Sequence, residues 1–98
     1  MESLNRIELI GKVGVVTSHK VGDSIATRFA VCTTHLYDNG SSPVLENTWF
    51  PCISFDDNAS ALEKGDDIHL EGRVKTVRYT DSEGKERTQF EVVVNKIY

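Results

Sequence analysis

Too few metal-ligating side chains are present, and too widely spaced, to suggest a metal site. The two cysteines, Cys32 and Cys52, and the three histidines, His19, His35 and His69, form no paired spacing of a zinc ligand set. No metal and no cofactor are expected. Each cysteine falls in a strand-like stretch, so both read as free, half-buried thiols of a reducing compartment rather than as a disulfide. No apolar run approaches the ~20 residues needed to span a bilayer, and the N-terminus lacks the apolar centre of a signal peptide. A cytoplasmic protein without a membrane partner is expected. Catalytic arrangements are missing too. There is no Gly-rich phosphate loop and no nucleophile with a base in local support. The adjacent carboxylates Asp56-Asp57 and Asp66-Asp67 flank a short helical stretch and read as solvated capping charges. An enzyme is not expected.

What is present fits one soluble domain spanning residues 1–98, with 39% apolar and 27% charged residues. A chain of this size buries roughly two thirds of the surface it exposes when unfolded, enough for one modest core. The net charge of -4 is the wrong sign for a polyanion binder on the crudest reading. Distribution matters more than the sum. Acidic residues crowd at Asp56-Asp57, Glu63 and Asp66-Asp67, whereas basic residues gather between Arg73 and Arg87, interrupted by Asp81, Glu83 and Glu86.

The chain reads as three strands, a short helix and two more strands. Residues Asn5 to Val16 form the first strand, with Gly11 and Gly14 as bends or bulges. A turn over His19 to Asp23 follows, centred on Gly22-Asp23. The second strand runs from Ser24 to Thr34 and alternates, with Phe29 and Val31 toward the core and Arg28 outward, facing a phosphate or water. His35 to Glu46 reads as a loop, with Tyr37 at its entrance and little in Asp38 to Pro43 that packs. Asn47 to Phe55 is the third strand. Trp49, Pro51, Ile53 and Phe55 share one face, and Phe50, Cys52 and Ser54 the other. Alternation leaves open whether Trp49, Ile53 and Phe55 fill the core or form an exposed stacking platform. Pro51 cannot donate to a ladder and belongs at an edge or bulge. Asp57 to Lys64 is a short helix, capped by Asp57 or Asn58, stopped at Gly65 and plugging a barrel end with Leu62. Asp67 to Thr80 is the fourth strand and Arg87 to Tyr98 the fifth, with Ile97 on the face opposite Phe90, Val92 and Val94.

This order, with a helix between strands 3 and 4, is the layout of an all-β OB-fold, a five-stranded Greek-key barrel whose face commonly binds oligonucleotides or oligosaccharides. The hairpin around the Asp81 to Gly84 turn carries Arg73, Lys75 and Arg78, with Tyr79 just before the turn. An aromatic beside regularly spaced positive charge suits single-stranded nucleic acid, although many solvated hairpins carry the same residue types.

Three stretches, in order and with similar spacing, resemble the bacterial single-stranded DNA-binding protein family. They are Asn5-Arg-Ile-Glu-Leu-Ile-Gly-Lys-Val-Gly14, Asn47-Thr-Trp-Phe-Pro-Cys-Ile-Ser-Phe55, and Lys64 to Asp81 followed by Gly84 and Glu91-Val-Val-Val94. The resemblance implies base stacking on Tyr37, Trp49, Phe55 and Tyr79, with phosphates held by Arg28, Arg73, Lys75 and Arg78. It implies an exposed Trp49 face, no catalysis, and a role in DNA replication, recombination or repair. It further implies a homo-oligomer, either tetramer or dimer. The chain departs from the family pattern in its shorter helix, in Val15-Val-Thr-Ser-His-Lys20, and in Phe50 and Pro51 at two usually polar or basic positions. Replication or repair proteins are further implied partners, although the acidic-tipped tail by which the family recruits them has no counterpart after Tyr98. A short protein of this kind also resembles primosomal replication protein N, in which the Trp49 face would meet protein as well as single strands.

Overall fold

The computed structural model describes residues 2–98. Five strands, β1 (Ile7–Val21), β2 (Ser24–Asp38), β3 (Pro43–Ser54), β4 (Asp67–Thr80) and β5 (Glu86–Ile97), close into a barrel in the order β1-β2-β3-β5-β4. This is the OB-fold connectivity expected from the strand order. A single 3-10 turn, Asp57–Ala61, lies between β3 and β4. Its cap is Asp56, not Asp57 or Asn58: the Asp56 carboxylate accepts the Asn58 N–H at 2.9 Å. Asp66 likewise accepts the Glu63 N–H at 2.9 Å. Two of the crowded acidic residues are therefore occupied with local backbone donors.

The expected loop from His35 to Glu46 is instead a β-ribbon. β2 and β3 pair without interruption from Thr27↔Ser54 to Asp38↔Pro43, leaving only residues 39–42 as the tip. At that tip the Asn39 side-chain oxygen accepts the backbone N–H groups of Ser41 and Ser42, both at 3.2 Å, which closes the turn. β1 also runs on to Val21, so the turn before β2 shrinks to Gly22-Asp23.

The core is Leu9, Val13, Phe29, Val31, Cys52, Ile68, Leu70 and Val92, flanked by half-buried Ile7, Val16, Phe50, Leu62, Val94 and Ile97. Two bulges set this list. In β1, Val13 faces Val31 and Val16 faces Phe29, so one extra residue turns both valines inward and pushes Val15 out. In β5, Gly72 pairs with Val94 but Glu71 with Lys96, so Asn95 is unpaired. That bulge turns Ile97 onto the core face beside Val94, correcting the expectation that it points away. Gly11 and Gly72 are obligatory here. A Cβ at Gly11 would collide with the Cys32 carbonyl, and one at Gly72 with the Val93 carbonyl.

The barrel has one narrow seam. β3 and β5 run parallel and pair only at Cys52↔Val92 and Ile53↔Val93. Pro51 immediately precedes it and has no N–H with which to extend the pairing. The strands part there, and a groove opens on the outside of the barrel.

Candidate nucleic-acid interface

Register decides which side chains share a surface. Phe29, Cys52 and Val92 point inward, so their strand neighbours point outward. The outward set is Arg28 and Ala30 on β2, Trp49 and Pro51 on β3, Gln89 and Glu91 on β5, and Arg73, Lys75 and Tyr79 on β4. Trp49 is 56% exposed, and Tyr79 45%. Phe55, the first residue after β3, is equally open at 56%. Trp49 and Phe55 are thus exposed rather than part of the core. Ile53 is different: it is buried, at 5% exposure, and does not belong to any exposed aromatic surface.

Trp49 sits where it does because residue 14 has no side chain. A Cβ on Gly14 would lie 2.9 Å from Trp49 Cζ3 and 3.5 Å from the Ala30 Cβ. The indole therefore lies with its six-membered ring against the β1 bulge, and over half of its surface stays open. Among the described residues the rings of Trp49, Phe55 and Tyr79 stack on no other ring, whereas Tyr37 lies 6.1 Å from the His35 ring.

The groove beside Trp49 has a volume of about 300 Å3 and is lined by Val15, Arg28, Ala30, Pro51, Gln89 and Glu91, among others. Glu91 is the unexpected member. Its side chain is only 9% exposed, and Arg28 Nε donates to its Oε2 at 3.3 Å. Glu91 also lies directly across the ladder from Lys75. Burial, then the nearby Glu91 charge, pushes the Cys52 thiol up to about 12. The two cysteines are free thiols. Cys52 points inward and Cys32, opposite Trp49, points outward, so no bridge can join them.

The cations divide into two groups. Arg6, Lys12, Arg28 and Arg87 are tied to Glu71, Asp67, Glu91 and Asp81. Arg73, Lys75 and Arg78 form no ion pair among the described residues. At the β4–β5 tip, the Arg87 guanidinium and then the Lys85 backbone N–H hold the Asp81 carboxyl below its usual range. That carboxylate also takes the Glu83 N–H at 2.9 Å, which fixes the turn beside Tyr79.

The eight residues expected to form the site do not all share one face. Trp49, Tyr79, Arg28, Arg73 and Lys75 do, and Phe55 lies exposed just past the end of β3. Tyr37 and Arg78 fall on the reverse faces of the β2–β3 and β4–β5 ribbons, because they alternate with Leu36 and Tyr79. Gly14, Gln89 and Glu91 complete the surface and were missed as site residues. Arg28 and Glu91 are 63 positions apart, and no local pattern joins them. Among the described residues there is no group of side chains suited to a metal ion, and no helix is long and apolar enough to cross a membrane.

Residues 4–98 match the single-strand binding protein family. The chain is 29% identical over 103 residues to a single-stranded DNA-binding protein of Neisseria meningitidis serogroup B, covering 97% of this chain and 59% of that protein. It is 30% identical over 105 residues to one from Bacteroides thetaiotaomicron, covering 97% of this chain and 65% of the relative. It therefore spans less than two thirds of either relative's length. Among solved structures, the Plasmodium falciparum SSB in complex with ssDNA superposes with a TM-score of 0.84 at 21% identity, covering 97% of this chain and 90% of that one. The small single-stranded DNA-binding protein from Streptomyces coelicolor gives a TM-score of 0.75 at 21% identity, covering 95% and 91%. Both are OB-fold barrels, and the likeness places this chain in that fold.

Proposed function

The chain belongs to the single-strand binding protein family, and from that membership we propose that its barrel binds single-stranded DNA with little regard to sequence and without catalysis. Bases stack on Trp49, Phe55 and Tyr79, and on Tyr37 where the strand passes around the β2–β3 ribbon. Arg73, Lys75 and Arg78 hold phosphates. Arg28 contributes less, because Glu91 already neutralises it. The observation that carries this reading is the outward face from Trp49 to Tyr79, which joins open rings to cations without internal partners. Stacking contributes ~1–3 kcal/mol per base and tolerates any base, since every base has a π-face. Replication, recombination and repair are the processes such binding serves.

A homo-oligomer, dimer or tetramer, extends the path available to one strand. Exposed apolar residues on and before β1, notably Ile10 and Leu4, are candidates for its contacts. One observation favours an added protein-binding role of the kind found in primosomal replication protein N. Leu36 and Leu45 face each other across the β2–β3 ribbon at 66% and 62% exposure. Anisotropy of labelled oligo-dT across a salt series tests the main reading. Affinity should fall with a log–log slope near -0.7 for each phosphate contacted. Absence of binding at low salt would overturn it and leave the protein-binding role.

A further inference from the structure

Arg28, Arg73 and Lys75 share the outward face of the barrel with a carboxylate, Glu91. That carboxylate is held in place. Its side chain is only 9% exposed, whereas the Arg28 side chain paired with it is 54% exposed. Arg28 Nε donates to Glu91 Oε2 from β2, and Lys75 lies directly opposite Glu91 on β4. We propose that Glu91 is a restraint on strand binding: its charge holds Arg28 back from phosphate, so this face binds single strands less tightly than its own cations allow. The inference rests on the single-stranded DNA reading above and names a residue that sets its strength.

Arg28 can meet a phosphate in two ways, and Glu91 opposes both. If the guanidinium leaves, a largely buried carboxylate loses its charged partner, and stranding such a charge is costly. If the guanidinium stays and reaches a phosphate with its terminal nitrogens, two anions share one cation and repel each other. By either route Arg28 releases less counterion than a free arginine would. Lys75 is affected more weakly. It forms no ion pair with Glu91, but side chains directly opposite on a ladder start only ~4.5–5.5 Å apart, close enough for the carboxylate to offset part of its field.

Charge, not shape, is what Glu91 adds. A glutamine of the same size can accept the Arg28 Nε–H through its side-chain oxygen and line the same groove. Gln89, two residues earlier on β5, already lines that groove as a neutral amide. The Glu91 charge is felt by its surroundings, since it adds to the effect of burial in raising the Cys52 thiol. A negative charge is thus kept beside the cations where a neutral group would satisfy the same hydrogen bond.

The test is Glu91→Gln, read by anisotropy of labelled oligo-dT across a salt series. Affinity at low salt should rise about two- to fivefold, the scale of a partly exposed ion pair. The log–log salt slope should steepen by up to about 0.7, the share of one phosphate. Adding Arg28→Ala to Glu91→Gln should remove most of both gains. Glu63→Gln removes the same charge from an exposed position between the 3-10 turn and β4, and should leave affinity and slope nearly unchanged. Unchanged or weaker binding by folded Glu91→Gln overturns the inference. So does an equal gain from Glu63→Gln, which would make net charge the cause, or a gain that survives Arg28→Ala. A further arm leaves Glu91 in place: Arg28→Ala alone should lower the slope by well under 0.7, and a full loss of about 0.7 would show Arg28 unrestrained. No binding by the wild type at low salt overturns the single-stranded DNA reading as well.

Discussion

Gly14→Ala is the smallest change that reaches the stacking surface, and its consequences can be worked through. The new Cβ would lie 2.9 Å from Trp49 Cζ3. Carbon atoms settle at about 3.5–4.0 Å, so the ring must retreat by about 0.6–1.1 Å. The Ala30 Cβ, at 3.5 Å, is already at contact distance and does not need to move. Residue 14 is buried within a bulge, whereas Trp49 is 56% exposed, so the ring gives way. Stability should change little. Overpacking costs about 1–3 kcal/mol in a closed core, but less against a ring free to swing. Alanine also returns about 0.4–1 kcal/mol by restricting the unfolded chain, since Gly14 does not use positive φ. The net effect lies within about 1 kcal/mol, a shift of at most about 4–8 °C in Tm.

Binding should respond more. If the displaced indole forfeits half of a stacking contribution of ~1–3 kcal/mol, affinity for oligo-dT falls about 2- to 12-fold. A double-mutant cycle with Trp49→Ala isolates this route. With the ring removed, Gly14→Ala has nothing to displace and should change affinity by less than about twofold. Anisotropy of labelled oligo-dT for the four proteins at one salt concentration measures the cycle. An equal loss in both backgrounds would refute the idea that Gly14 acts by seating Trp49. Unchanged affinity in Gly14→Ala would show that the ring's seat does not matter.

Two further outcomes follow from charge and burial. Lys75→Ala should reduce the log–log salt slope by about 0.7, whereas Arg28→Ala should reduce it less, because Arg28 already shares its charge with Glu91; salt-series anisotropy distinguishes them. Cys52, with an ordinary value of 9.0 raised to about 12, stabilises the fold fully below pH 9.0, and that contribution is lost as pH rises toward 12. Denaturant midpoints across that range should fall more steeply in the wild type than in Cys52→Ala, and Cys52 should resist thiol reagents until the chain unfolds.

Much of the barrel was legible because the strands alternate and the glycines punctuate them. β4 runs from Asp67 to Thr80 as expected, and Gly72 marks the point where the ladder slips. The β2–β3 ribbon was not legible. Its tip is polar, and Leu36 and Leu45 become a pair only once the register is known. Strict alternation puts Ile97 on the wrong face because it fails at the Asn95 bulge. The third strand was ambiguous for a different reason: both of its faces carry large apolar residues. Trp49 and Phe55 lie outside, while Ile53, on the same alternating face as Trp49, is buried. Family resemblance pointed to the exposed face; alternation alone did not. The groove was invisible to any local pattern, since β1, β2, β3 and β5 each contribute to it.

The most direct measurement is titration of the intrinsic Trp49 fluorescence with oligo-dT. The chain has one tryptophan, so the signal reports that ring alone. Stacking against a base should quench it strongly at low salt, and the quench should recede as salt rises. Binding seen by anisotropy without any change in Trp49 emission would contradict the account, because the strand would then lie on another face of the barrel.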